Sequence, residues 1–317
     1  MGFIAKRLIT SLLTLFLVSI LTFGAFRLIP GDAALLSLGT EASDAQIEAL
    51  RAEMGMDNSL PVQYLSWLKG LLTGTLGNSW RFRGLPIAEI ILERLPVTFA
   101  LAALSFFLIL IIAVPVSLFS VKKKNSILDR AVTVITALNI SSPGFFLGVL
   151  FIWIFGVLLK LFIPGGYVSY HESISGFLRY LFFPALAIAL PNAALVVKFL
   201  RSSIFAEFQS GYARTARSKG GSRAHILQRH VLKNASLPVI TLLGMIAGEI
   251  LSGSIIIEQV FGIPGIGRLL IASITSRDYQ MVQTIVIYIA IAVILANTLA
   301  DIVLQIADPR IRLGEKV

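Results

Sequence analysis

Six long stretches without charge, or nearly so, divide the chain. The first lies between Arg7 and Arg27, nineteen residues of mostly Leu, Ile, Phe and Val. Others run over 95–121, 131–159, 180–197 and 279–300, and the stretch 234–257 is broken only by Glu249. A helix needs about 20 apolar residues to cross a bilayer. The pattern therefore predicts an all-α polytopic membrane protein of six spans, with the 180–197 span free to extend into its flanks. Lys6-Arg7 before the first stretch imitates a secretory signal, but the apolar core of a signal is only about 7–15 residues. We read a retained span. Pro115, Pro143, Pro184 and Pro191 fall in or near the runs and are expected to kink helices or mark their ends.

The polar segments carry their own patterns. In the segment 30–94, Ser43 and Gln46 match a capping box, and Ile47, Leu50 and Met54 make an apolar stripe that stops at Gly55. Pro61 opens a second helix with Tyr64, Trp67 and Leu71 on one face. Gly74, Gly77 and Gly84 punctuate a loop that holds Trp80 and Phe82. Pro86 opens a third short helix, with Ile87, Ile90 and Ile91 toward the membrane. The segment reads as a folded helical subdomain, either a cap over the spans or a docking surface. After the fifth span, Phe261-Gly262-Ile263-Pro264-Gly265-Ile266-Gly267 makes a tight irregular turn. Phe261 and Ile263 are exposed there unless they tuck back.

The longest polar interruption in the C-terminal half runs from Phe205 to Pro238. Its bases are Arg214, Arg217, Lys219, Arg223, Arg229 and Lys233, and its only acid is Glu207. Tyr212 to Lys219 suits a short helix. Ala213, Ala216 and Gly220 line one face, and a face without bulk lets another surface come close. Gly220-Gly221 breaks that helix. Ser222 caps a second one over 223–233, and Leu237-Pro238 is expected to force an extended or turn geometry.

Composition agrees with the spans and adds orientation. Of 317 residues, 56% are hydrophobic and 14% charged, against about 25% charged in soluble proteins. The net charge of +10 raises the question of nucleic acid, but its placement answers to topology. With the N-terminus inside, segments 1–7, 122–130, 198–236 and 308–317 hold 17 Lys and Arg, and the segments on the other side hold 10. The positive-inside rule puts both termini and the 205–238 stretch in the cytoplasm. The first external segment, 27–94, also carries eight acids.

The order of residues goes further. Arg214-Thr215-Ala216, then Gly220, then Asn234-Ala235-Ser236-Leu237-Pro238 resembles the EAA loop of ABC-importer permeases, in the version of the peptide/nickel branch. Pro61-Val62-Gln63-Tyr64, Leu76-Gly77-Asn78-Ser79, the turn around Gly262, Arg277-Asp278-Tyr279 and the tail Asp308-Pro309-Arg310-Ile311-Arg312 resemble that branch too. The general motif opens with an acid where Arg214 stands here, and the gap from Gly220 to Pro238 exceeds that of sugar permeases. Both departures fit the peptide/nickel branch. The resemblance implies a type I importer permease fold in the plasma (inner) membrane of a prokaryote. It divides the chain into a first span (1–29), an extracytoplasmic subdomain (30–94), a transmembrane domain (95–307) and a cytoplasmic tail (308–317). The loop 205–238 is then the coupling element, with Tyr212, Ala213, Arg214, Thr215, Ala216, Arg217, Lys219 and Gly220 toward an ATPase. The implied partners are a second permease, two ABC ATPase subunits, an extracytoplasmic binding protein and the lipid bilayer, without nucleic acid. Dipeptides, longer peptides, nickel and other metal chelates all remain open as cargo, as does whether the second permease is an identical copy.

No Gly-x4-Gly-Lys-Ser/Thr occurs, so the chain has no P-loop of its own for ATP. There is no cysteine, and His225 and His230 are not spaced to share a helical face, so no metal or cofactor site is expected. Transport rather than catalysis is the expected role. Glu249 falls near the middle of its span, where an acid costs about 2.5–3.5 kcal/mol and should face the bundle interior with a partner. It either makes a structural hydrogen bond or lines the pathway, for which Phe261, Ile263 and Asn297 are the other candidates. Gly248-Glu249 resembles the nickel-type members. An ion-coupled secondary carrier working through Glu249 is the alternative class; it needs paired acids and repeated halves, and we find no repeat.

Overall fold

The computed structural model describes residues 3–27, 43–53, 58–79, 81–82 and 84–307. Met54, Gly55, Trp80 and the tail from Asp308 lie outside the described residues, as do the side chains of Arg27, Ile47 and Leu50. Helices follow one another along the chain: α1 (Phe3–Arg27), α2 (Asp44–Glu53), α3 (Leu60–Thr73), α4 (Ile87–Lys122), α5 (Ile127–Ser141) and α6 (Gly144–Phe151). Then come α7 (Ile174–Phe208), α8 (Gly211–Ser218), α9 (Arg223–Ile226), α10 (Leu232–Phe261), α11 (Ile266–Thr275) and α12 (Tyr279–Ala307). A two-residue antiparallel ladder, β1 (Asn78–Ser79) with β2 (Leu85–Pro86), pairs Ser79 with Leu85.

Among the described residues, five helices are long and apolar enough to cross a membrane, and a bent pair brings the number to six. That pair is α5 and the helix Gly144–Leu158, in which α6 runs on into a π-helical segment, Ile152–Leu158; the two meet at 101°. The sequence pattern predicts one run over 131–159. Pro143 is the reason it breaks: it forces Ser142 into an extended conformation (φ −93°, ψ 121°) and supplies no N–H to continue the ladder. Pro184 and Pro191 sit inside α7, where neighbouring helices tolerate the lost hydrogen bonds.

Two expected breaks are absent. The third short helix at Pro86 does not stop near residue 94; α4 continues to Lys122. Charges at Glu89, Glu93 and Arg94 end an apolar run, but they do not end a helix. Pro238 likewise makes no turn, and lies inside α10. Ser222 does cap the preceding helix, accepting from the His225 backbone N–H at 3.3 Å. That helix passes through a π-helical turn, Leu227–Val231, straight into α10. The proline's missing N–H therefore falls within a continuous helix rather than at its start.

The chain clusters into two compact units. The first comprises Met1–Thr98 and Pro264–Ala292. Its core joins Leu76, Ile87, Ile90 and Ile91 to Ile266, Leu269, Met281 and Ile285. The Ser43–Gln46 capping box forms, with Gln46 Oε1 accepting from the Ser43 N–H at 3.0 Å. Tyr64 and Trp67 of α3 pack on Phe23 of α1, with ring centroids 5.4 and 5.8 Å apart, and Tyr64 Oη bonds Ser19 Oγ at 2.7 Å. Gly77 has φ +76°, which favours glycine, and a Cβ there would push the Gln280 amide, 2.2 Å away, off the Leu76 carbonyl.

The second unit comprises Phe99–Ile263 and the chain from Val293. Helix α7 is its axis and contacts α5, α6 and α10. Its buried positions include a run of small ones, Ala185, Ala187, Ala189, Ala193 and Ala194. Between membrane helices there is little hydrophobic drive, so close backbone approach over small residues supplies the packing. Helices α10 and α12 use the same device. A Cβ on Gly244 would lie 2.3 Å from that of Ala300, and one on Gly248 would lie 3.3 Å from Val293 and 3.4 Å from Asn297 Oδ1.

Candidate functional site

The short helix α8 stands between the long helix α7 and the α9–α10 run. Its start is set by the corner before it. The Arg214 guanidinium donates to the Gln209 carbonyl through Nε and Nη2, at 3.2 and 3.1 Å. The residue that departs from the motif's acid is thus spent on the chain's own backbone. Tyr212 Oη donates to the Glu207 carboxylate across the same corner. Partial burial, and then the hydrogen bond to Glu207, raise the Tyr212 phenol above its ordinary value, so it remains a donor at neutral pH.

The end of α8 is a Schellman closure. Gly221 N–H donates to the Ala216 carbonyl at 3.2 Å and Gly220 N–H to the Arg217 carbonyl at 3.0 Å. Gly220 carries the left-handed conformation this needs, φ +82°. The break expected at Gly220-Gly221 therefore has a defined geometry.

The face expected to meet a partner divides. Ala213 is fully buried within the chain and Ala216 half-buried. At Ala213 the small-residue face lets α8 approach the body of its own chain, while Gly220 at its end is exposed. The exposed face carries Tyr212, Arg214, Thr215, Arg217, Ser218 and Lys219.

The pathway candidates separate as well. Phe261 and Ile263 are buried, at 1% and 0% exposure, and tuck back into the chain. Tyr180 Oη donates to the Phe261 carbonyl at 2.5 Å, and Phe162 faces the Phe261 ring at 6.1 Å. These two residues pack the turn. Asn297 is half-buried over Gly248. Glu249 does not face the interior of its own chain. It is exposed, in a stripe along α10 made of Thr241, Met245, Glu249, Ser252, Ile256 and Gln259.

Two arrangements escaped the sequence reading. Asp129 is buried and accepts from Ser120 Oγ, from the Asn125 N–H at 3.1 Å and from Arg201 Nη2 at 2.6 Å. Arg201 also reaches Thr133 Oγ1 at 3.1 Å, so one carboxylate gathers α4, α5 and α7. Ser126 three residues before Asp129, capping α5, was its only sequence signal. The second arrangement is the contact of Gly244 and Gly248 with α12, signalled by their four-residue spacing in an apolar run.

Comparison with known proteins decides the family. The sequence profile described as binding-protein-dependent transport system inner membrane component matches residues 113–313, and its N-terminal companion matches 1–102. The chain belongs to this family. It is a multi-pass permease subunit of an ABC importer, and in this family ATP hydrolysis is carried by separate subunits. The permease is 37% identical over 309 residues to a Brucella abortus (strain 2308) protein named as a peptide transport system permease, covering 98% of each chain. It is 33% identical over 312 residues to the oligopeptide transport system permease AppB of Bacillus subtilis (strain 168), covering 98% of this chain and 99% of that one. Among solved structures, a chain of the inward-facing MetNI methionine ABC transporter matches with a TM-score of 0.56 at 17% identity, covering 70% of the permease and 98% of that chain. That likeness carries the type I fold alone.

Proposed function

We propose that the permease forms half of an inner-membrane pathway for peptides, and that α8 couples it to an ATPase. The observation that carries the coupling role is the exposed face of α8, held at both ends by its own hydrogen bonds. Tyr212, Arg214, Thr215, Arg217, Ser218 and Lys219 project from a helix fixed on Ala213. A rigid, basic, exposed helix transmits a push. ATP-driven closure of the two ATPase subunits moves it, and the spans open to receive cargo from a binding protein. Peptide as cargo rests on relatives named for peptide transport that match over nearly the whole chain.

The charge count favours both termini and the loop 205–238 in the cytoplasm, with 30–94 as an extracytoplasmic subdomain suited to a binding protein. The α10 stripe needs cover. A carboxylate at mid-membrane is costly against lipid, so the stripe faces either the pathway or a second permease, which we take to be a different chain.

The complex is testable as a unit. Extracted in mild detergent, the tagged permease should bring an ATPase with it. In proteoliposomes with the binding protein, uptake of a labelled peptide should require ATP. Uptake that instead follows a proton or sodium gradient, without any ATPase bound, would return the chain to the secondary-carrier class.

A further inference from the structure

Beside α8 lies a cavity of about 480 Å³ that shares only Arg217 with the proposed coupling face. Its walls include Lys124, Arg217 and Arg223, with Phe205, Phe208 and Ile226 between them, and none of the described residues lining it is acidic. The cations are posed against rings: Lys124 Nζ stands 4.8 Å from the Phe205 centroid, and Arg223 Cζ 5.4 Å from that of Phe208. Such contacts hold a cation in place without neutralising it. The acids nearby are committed. Glu207 accepts from Tyr212, and Asp129, which also feels Lys124, is held by Ser120, the Asn125 N–H and Arg201.

We infer that this cavity binds the phosphate of an anionic phospholipid from the cytoplasmic leaflet. Its level in the fold favours lipid. Lys124 stands just past the uncharged run 95–121, two residues after the end of α4, and Phe205 in the last turn of α7 lies against it, so one wall is where a membrane-length helix leaves its apolar run. Basic pockets between helices at that level suit acidic headgroups. The volume lies in the range that takes a small ligand. The aromatic walls accept glycerol and the first methylenes, while the three cations meet the phosphate. With Arg217 on α8, Arg223 on α9 and Lys124 beyond α4, a bound headgroup ties the coupling helix to the spans. The inference rests on the cytoplasmic reading of 205–238.

The test uses the whole importer complex in nanodiscs of phosphatidylcholine with and without phosphatidylglycerol, released into native mass spectrometry. Wild type should retain phosphatidylglycerol over phosphatidylcholine. Lys124→Gln with Arg223→Gln should cut that retention several-fold, and Lys124→Arg with Arg223→Lys should restore it. Equal retention in the wild type and the glutamine double variant would overturn the site. Displacement by inorganic phosphate alone would assign it to a free anion. Loss of the ATPase subunits in the glutamine variant, with lipid retention unchanged, would assign the cations to a partner's carboxylate. If impermeant labelling at Ser218→Cys instead places α8 outside the cytoplasm, the orientation fails; retained lipid would then belong to the other leaflet.

Discussion

Ser79 Oγ donates to Asp278 Oδ2 at 2.5 Å, joining two residues 199 positions apart. Both are buried, and the Asp278 carboxylate also accepts from the Met281 N–H at 3.2 Å, so it caps the start of α12. Around this bond, Arg81 Nη1 donates to the Ala272 carbonyl at 2.8 Å and Gln280 Nε2 to that of Leu76 at 3.1 Å. The loop after α3 is thereby fastened to the α11–α12 corner. A docking surface built on that loop inherits the rigidity of the corner.

Removing either member should loosen the first unit. A hydrogen bond to a charged group contributes about 1.5–3 kcal/mol, and leaving the partner buried adds to the loss. Ser79→Ala and Asp278→Asn should each lower the melting temperature of the detergent-solubilised permease. They should also speed proteolysis between residues 74 and 86. Unaltered melting in both variants would show that the buried bond contributes nothing.

The two faces of α8 make opposite predictions. Ala213 is fully buried, so Ala213→Leu overpacks and should cost about 1–3 kcal/mol. Its signature is a lower melting temperature and a poor yield of assembled complex. Thr215 is exposed, so Thr215→Trp should leave melting unchanged while lowering ATP hydrolysis stimulated by the loaded binding protein. A Thr215→Trp complex with full coupling would move the docking face elsewhere.

Much of this was legible in the sequence, and the failures have physical causes. Apolar runs showed the membrane segments because lipid admits few charges. They misplaced helix ends, since Glu89, Glu93 and Arg94 leave the bilayer without leaving the helix. Pro143 and Pro238 look alike in sequence, yet one bends a helix by 101° and the other lies within one. What decides is whether neighbours sustain the ladder, and that is tertiary. Ala213 is expected to meet a partner and meets its own chain, because a small-residue stripe does not say which surface approaches it. Ser79 and Asp278 both stood in conspicuous segments. Their contact, and that of Asp129 with Arg201, pair positions too distant for any periodicity to join.

Orientation can be read chemically, because the chain has no cysteine to confuse labelling. Ser79 is buried and would resist reagent, whereas Asn78 is exposed. Asn78→Cys should react with a membrane-impermeant thiol reagent in intact cells. Ser218→Cys, on the exposed face of α8, should react only once the membrane is opened. The reverse pattern would overturn the orientation drawn from the distribution of Lys and Arg.

Glu249 gives the sharpest test of the pathway. It lies eleven residues past Pro238 and nine before Glu258, or roughly 16 Å and roughly 13 Å along a helix. Its neighbour Gly248 lets Asn297 close over the inner face of α10, and that contact turns Glu249 outward with Met245, Ser252 and Ile256. A carboxylate there cannot rest against acyl chains without a cost of about 2.5–3.5 kcal/mol. Under the proposed pairing with a second permease it faces water in the pathway or a group on that partner, and the two differ in what they need. A pathway carboxylate needs its charge, to favour a peptide's free amino group. A structural partner needs only a hydrogen-bonding group of the same shape. Glu249→Gln should therefore reduce uptake of a peptide with a free amino terminus several-fold, spare its N-acetylated form, and leave the complex assembled. Unchanged uptake in Glu249→Gln together with a misassembled Glu249→Leu would place the residue in the interface between the two permeases.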